Sequence, residues 1–223
     1  MSVNPKIKKL LLITGPTRER IDSVRYISNF SSGKMGLAIV NEALKNNIEI
    51  KVVSGPVVFQ YPDECEVFNV ESADEMKNAS LALISSVDCV INCAAICDFK
   101  PKFTFDRKLK KTLDESNLKS IELVKNDDIL QEICARKTCD QVVVGFCAET
   151  ENLLENAKAK LLDKGCDIIV ANDVSENQAF GKDESRGFIV GEQGWTEFDC
   201  SKQILAKKIL KIAEEAILKK AIK

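Results

Sequence analysis

A chain of 223 residues that is 45% hydrophobic and 30% charged carries enough apolar material for one good-sized α/β domain without disulfide or metal staples. Its formal net charge of −2 gives no broad basic face for nucleic acid, and no run approaches the roughly 18 apolar residues that cross a membrane. Histidine is absent, which removes Ser-His-Asp and Cys-His catalysis and the usual zinc ligand sets.

In chain order, "MSVNPKIKK" lacks the apolar region and cleavage site of a secretory signal, so a cytoplasmic protein is expected. The run "KKLLLIT" predicts a first strand over residues 9–14. The next segment, residues 15–33, exceeds the roughly 12 to 15 residues of an ordinary unstructured connection. It holds Ile21, Val24, Tyr26, Ile27 and Phe30, so it is expected to lie ordered over the carboxyl edge of a sheet, where open α/β folds bind ligands.

Residues 34–46 read as an amphipathic helix and 49–54 as a strand; Ser72 and Glu75 form a capping box opening the helix of "SADEM". Further strands are predicted over 88–94, 141–147 and 167–171, and helices over 151–164 and 201–219. "RGFIVGEQGWTEF" reads as an antiparallel hairpin around a Glu-Gln-Gly turn. The alternation predicts a three-layer α/β/α Rossmann-like fold, with a mostly parallel sheet and an antiparallel edge hairpin, as one domain over residues 1–223. The Lys-rich stretch 97–118, which breaks after Pro101, is expected to form a flap. Nine cysteines, odd in number, without a CxxC pair and partly inside apolar runs such as "VDCVINCAA", are expected to be reduced structural thiols.

The residues themselves carry a few site signals. Ser31, Ser32 and Gly33 open a helix, whose free amides and dipole favour a phosphate, although Ser and Gly are also ordinary capping residues. A P-loop is excluded because Lys34 precedes Met35, and a dinucleotide fingerprint because Pro16 follows Gly15. Lys108, Lys110 and Lys111 either neutralise phosphates or form a solvated face. Asp98 is a ligand-facing carboxylate at a strand's carboxyl end or a turn residue before Pro101.

Nearly the whole chain resembles one family, through "ITGPTRERIDSVRYISNFSSGKMG", "SGPV", "CAAICDFKP", "KLKK", "ELVKNDDIL", "VGFCAETENLLENAKAKLLDKG", "IVANDVS" and "FGKDESRGFIV". It is similar to phosphopantothenoylcysteine synthetase (phosphopantothenate-cysteine ligase) of the bacterial CTP-dependent type. The resemblance implies a Mg²⁺-assisted enzyme of coenzyme A biosynthesis. CTP would activate the carboxylate of 4'-phosphopantothenate as an acyl-cytidylate, releasing pyrophosphate, and L-cysteine would then attack to give 4'-phosphopantothenoylcysteine and CMP. A stand-alone form is expected, because 223 residues leave no room for the flavin-dependent decarboxylase to which this module is often fused.

Residue by residue, the resemblance makes Asn29 catalytic, holding the acyl carbonyl or orienting the intermediate. Ser31, Ser32 and Gly33 cradle the substrate phosphate, and Ala94 and Ala95 line that pocket. Lys108 is the flap lysine, implied to reach a neighbouring subunit's site and hence to require a homodimer. Asp98, Asp128, Phe146, Lys160 and Lys164 fall on nucleotide-binding positions, the two lysines one helical turn apart. Asn172 and Asp173 would neighbour the nucleotide or its Mg²⁺; metal ligands are unassigned. "RKLKK" and "KNDDI" depart from the family's Glu-Lys-Ile-Lys-Lys and Lys-Asn-Pro-Asp-Ile while keeping Lys108 and Asp128. Two alternatives remain at this level. A nicotinamide-dependent reductase fits the alternation but lacks the glycine fingerprint and a Tyr-x-x-x-Lys pair. A non-catalytic nucleotide-binding regulatory dimer predicts binding without turnover, against which Asn29 and Lys108 argue.

Overall fold

The structure is a computed structural model, and it describes residues 6–175 and 182–222; Phe180 and Gly181 of the quoted "FGKDESRGFIV" lie outside the described residues. The run "KLLLIT" forms β1 (Lys9–Thr14), with Leu10, Leu11, Leu12 and Ile13 fully buried. The long connection after it is ordered. In it β2 (Arg18–Arg20) and β3 (Tyr26–Ser28) pair antiparallel as a small sheet of their own. Then come α1 (Lys34–Lys45), β4 (Glu49–Ser54), β5 (Glu66–Asn69), α2 (Ala73–Leu83) and β6 (Cys89–Asn92). A second two-stranded sheet, β7 (Phe99–Pro101) and β8 (Leu123–Lys125), encloses the short α3 (Glu115–Lys119). The chain closes with α4 (Ile129–Arg136), β9 (Val142–Glu149), α5 (Leu153–Lys164), β10 (Ile168–Asp173), β11 (Glu184–Gly191), β12 (Gly194–Ser201) and α6 (Lys202–Ile222).

The main sheet has eight strands in the order β12-β11-β10-β9-β6-β1-β4-β5. Its pairs are parallel from β10 to β5 and antiparallel through β11 and β12, which form the expected edge hairpin. Strands buried on both faces need helices on both sides. One apolar core lies under α1 and α6, with Ile39, Val40, Ile209 and Ala213, and the other under α2, α4 and α5, with Met76, Ile133 and Ala157. The α/β/α layering is therefore the one the alternation predicts. Among the described residues no helix is long and apolar enough to cross a membrane.

Some boundaries differ from the expected ones for local reasons. The first half-sheet strand after α2 stops at Asn92, not 94, because Asn92 Oδ1 accepts the Ala94 N–H at 3.2 Å and turns the chain. The next two strands run past 147 and 171, since their pairing continues to Asp173 opposite Glu149. Ser72 caps α2 as expected, accepting the Glu75 N–H at 3.2 Å, while Glu75 Oε2 reaches back to the Glu71 N–H at 2.7 Å rather than to Ser72's own. All nine cysteines are free, and Cys134 Sγ lies 3.5 Å from Cys166 Sγ.

The seat of α1 on β1 is tight. A Cβ added at Gly36 would come 2.1 Å from Thr14 Oγ1 and 2.8 Å from Thr14 Cβ. Gly36→Ala is therefore expected to destabilise the fold by about 1–3 kcal/mol through overpacking, read as a lower urea midpoint at unchanged slope.

Candidate active site

β1, β6, β9 and β10 end on the same edge, and beyond their carboxyl ends lies a cavity of about 500 Å³. This is where an open α/β sheet is expected to bind. A smaller space of about 150 Å³ continues it toward α4. Ala94, Ile96, Asp98, Phe146 and Lys160 line both, so the two are halves of one cleft.

The loop after β1 is zipped to the segment after β6. Ala95 donates to Gly15 O at 2.9 Å, Thr17 to Ala95 O at 3.2 Å, and Cys97 to Thr17 Oγ1 at 3.0 Å. This zipper delivers Asn29 to the cavity wall, where its Nδ2 donates to Ile96 O at 2.9 Å. Gly15, at φ 78°, makes the sharp exit from β1; a Cβ there would sit 2.8 Å from Gly55 O. Ser31, Ser32, Gly33, Ala94 and Ala95 line the larger space beside Asn29. α1 has no side-chain cap on Gly33 and no acid in its first turn. Its first amides and the positive dipole end therefore face the cavity with no acidic residue of the helix's own first turn beside them.

At the other end, Asn126 Nδ2 donates to Cys97 O at 2.8 Å, which fixes the amide and leaves Oδ1 buried with no partner. Asp128 caps α4, accepting the Gln131 N–H at 2.9 Å, and pairs with Lys164 Nζ at 3.2 Å. Lys160, one turn earlier on α5, lines both halves of the cleft; Lys164, also paired with Asp163, lines neither. Asn172 lines the larger space with its Oδ1 buried and unpartnered, whereas Asp173 is turned to Arg186 at 2.9 Å and is off the lining. The thiols of Cys93 and Cys147 also line the cleft, and burial pushes each up to about 11. Both stay protonated at neutral pH, so neither supplies a thiolate nucleophile.

Lys108 is exposed and lines neither half of the cleft. The stretch around it is anchored all the same. Leu109 is 1% exposed and its N–H donates to Asp22 Oδ2 at 3.1 Å; Arg107 grips Asp114 with two bonds of 2.8 and 2.7 Å. The Arg107 guanidinium, with the Lys110 N–H, holds the Asp114 carboxyl down at about 2. Asp22 is the knot between the two loops. It accepts the N–H groups of Val24, Arg25 and Leu109 and pairs with Arg25. Burial pushes its pKa up, but those donors outweigh burial and the carboxyl sits below its ordinary range. Groups so depressed stabilise the loop above the ordinary carboxylate pKa and lose that effect as pH falls through the depressed value. Asp22→Asn is expected to loosen the stretch without unfolding the domain: tryptic cleavage after Lys108 or Lys110 should quicken several-fold while the melting temperature barely moves.

The cleft thus gathers Asn29, Ser31, Ser32, Gly33, Ala94, Ala95, Asp98, Asp128, Phe146 and Lys160, and leaves Lys108, Lys164 and Asp173 off its walls. Sequence reasoning missed Asn92, Lys125, Asn126, Ser185 and Lys202, which also line it. Asn126 sits inside the quoted "KNDDI"; for Lys202, the first residue of an amphipathic helix, there was no sequence signal.

Residues 6–217 match the family model of the DNA/pantothenate metabolism flavoprotein C-terminal domain. The coenzyme A biosynthesis bifunctional protein CoaBC of Borreliella burgdorferi is 38% identical over 93% of this chain and 52% of its own length. The chain spans about half the length of the curated relatives it matches. The crystal structure of the C-terminal domain of a CoaBC superposes with a TM-score of 0.81 at 34% identity, covering 98% of this chain and 100% of that one. A mutant Cab2 in complex with phosphopantothenate-cysteine shares the fold, with a TM-score of 0.75 at 13% identity over 97% of this chain and 89% of that one. The chain belongs to the family of the DNA/pantothenate metabolism flavoprotein C-terminal domain.

Proposed function

We propose that this chain is a phosphopantothenate-cysteine ligase of coenzyme A biosynthesis that uses CTP. The observation carrying the reading is the single cleft, which joins an amide-rich anion end at α1 to a carboxylate, lysine and aromatic end at α4 and α5. One end suits the phosphate of 4'-phosphopantothenate, the other a nucleoside triphosphate, and Asn29, in the larger half, is bonded to Ile96, which lines both. In the first half-reaction the pantothenate carboxylate attacks the α-phosphorus of CTP and pyrophosphate leaves. In the second the cysteine amine attacks the acyl carbon and CMP leaves.

Lys160, with Lys164 behind it, would take the triphosphate charge, and Phe146 would give the base or ribose an apolar surface. The orphaned Asn126 Oδ1 is an acceptor that an exocyclic base amine would satisfy. Asn29, held by Ile96 O, would fix the acyl carbonyl during aminolysis. Among the described residues no group of three or more acidic or thiol ligands forms a metal cage. Asp98 and Asp128 instead match the one or two carboxylates that hold a Mg²⁺ already bound to phosphates, where the ion supplies charge neutralisation.

The homodimer belongs to the same proposal. Lys108 lines neither half of its own cleft, and Tyr26, Phe99 and Leu123 on the two small sheets, with Phe103 two residues past β7, are exposed apolar side chains that a second copy could cover. A cytoplasmic setting suits nine unpaired thiols.

Pyrophosphate release by the purified chain with Mg²⁺ and 4'-phosphopantothenate tests the reading, comparing CTP with ATP and adding or omitting cysteine. Release with CTP that requires phosphopantothenate, with conjugate formed only when cysteine is present, is expected. Turnover with ATP alone would keep the ligase and overturn the nucleotide; tight binding without release would favour a regulatory protein.

A further inference from the structure

Two helices, not one, begin at the anion end of the cleft. α1 starts at Lys34 and α6 at Lys202, the two pack over the same face of the sheet, and both first residues line the cavity beside Ser31, Ser32 and Gly33. Lys202 is only 7% exposed, an uncommon condition for lysine. Its ammonium donates to Lys182 O at 2.5 Å and Glu184 O at 3.1 Å. Carbonyls are dipoles, not counter-charges, and an ammonium has three protons to place. Among the described residues no carboxylate accepts from the Lys202 ammonium, and a lysine desolvated this far with carbonyl partners alone is costly. Asp183, whose charge acts on Lys202, is bonded to Lys34 at 2.8 Å. Lys34, Lys202 and Asp183 thus come together where the N-termini of α1 and α6 meet. Burial lowers the Lys202 pKa, Lys34 adds to that and Asp183 opposes it.

We propose that Lys202 contacts the phosphate monoester of the acyl substrate and supplies the formal charge that the α1 amides lack. The inference rests on the ligase reading for the identity of that substrate and on the cavity alone for its phosphate. Lys202 is thus a specificity residue separating phosphorylated from unphosphorylated pantothenate, and it takes no part in holding the nucleotide.

Lys202→Gln tests this, because the amide keeps two N–H donors while the charge, the third N–H and one bond of reach are lost. The expected result is a rise of about tenfold in KM for phosphopantothenate, as befits loss of one charged hydrogen bond, with kcat and the KM for CTP little changed. Lys202→Arg should restore most of the loss. An equal rise for CTP would overturn the assignment. Line broadening of inorganic phosphate in ³¹P NMR separates the two layers of the argument. If the wild type broadens the signal and the Gln variant does not, yet no pyrophosphate is released, the Lys202 site stands and the ligase reading falls. Equal broadening by both proteins overturns Lys202 whatever the activity. Trace acetylation of the wild-type chain avoids any folding defect of a variant: phosphopantothenate should protect Lys202 several-fold and CTP should not, and unchanged labelling would overturn the proposal.

Discussion

Replacing Asn29 by Asp is expected to let carboxylate activation proceed and to stall amide formation. In the native protein the Asn29 Nδ2 donates to Ile96 O at 2.9 Å, which fixes the amide on the wall of the larger half of the cleft. An aspartate has no donor to give that carbonyl, so two acceptors face each other and a negative charge enters where the acyl oxygen must become anionic. Loss of a single oxyanion donor typically costs about 10²–10³ in kcat. Conjugate formation should therefore fall by about that factor while the first pyrophosphate burst survives. Single-turnover quenching checks it directly: an acyl-nucleotide should accumulate in Asn29→Asp and be consumed at once in the wild type. Equal loss of both half-reactions would remove Asn29 from aminolysis and make it a residue of the scaffold.

The second large effect is expected at Lys160. Because it lines both halves of the cleft, its ammonium is the cation best placed for phosphates lying across the junction. Lys160→Ala should weaken CTP binding by about 10- to 100-fold in calorimetry, the range expected for losing a hydrogen bond to a charged group. Lys164→Ala should do less, since Lys164 is already engaged by Asp128 and Asp163. Removing it also leaves Asp128 without its Lys164 partner at the proposed nucleotide end, so some loss of affinity is expected through that carboxylate. Unchanged CTP affinity in Lys160→Ala would place the triphosphate elsewhere.

The parts of this fold that sequence reveals are those decided by burial. Strands such as "KLLLIT" and "VVVGF" are apolar on both faces whatever their neighbours, and long helices announce themselves by period. β2, β3, β7 and β8 escape that logic, because each has three residues and exists only through its partner. β7 and β8 pair across the whole Lys-rich stretch, a closure that no local window contains. α4 has just eight residues, too few turns for its period to stand out. The site divides in the same way. Asn29 and Ser31 follow from a motif, whereas Lys202 belongs to the cleft only because α6 packs beside α1. Lys108 shows the converse: its motif is legible, but its place lies off the cleft of its own chain.

The sheet also acts as a partition. One end of the cleft, proposed for the acyl substrate, is carried by α1 and α6 on one face, and the other, proposed for the nucleotide, by α4 and α5 on the opposite face, each layer packed into its own apolar core. Substitutions in the apolar core behind α4 and α5 lie across the sheet from those in the core behind α1 and α6, so their effects on the two affinities should combine additively, except at residues such as Lys160 that line both halves of the cleft. Nucleotide preference in this scaffold could then be re-tuned, by selection or by design, while the grip on the other substrate stays as it was.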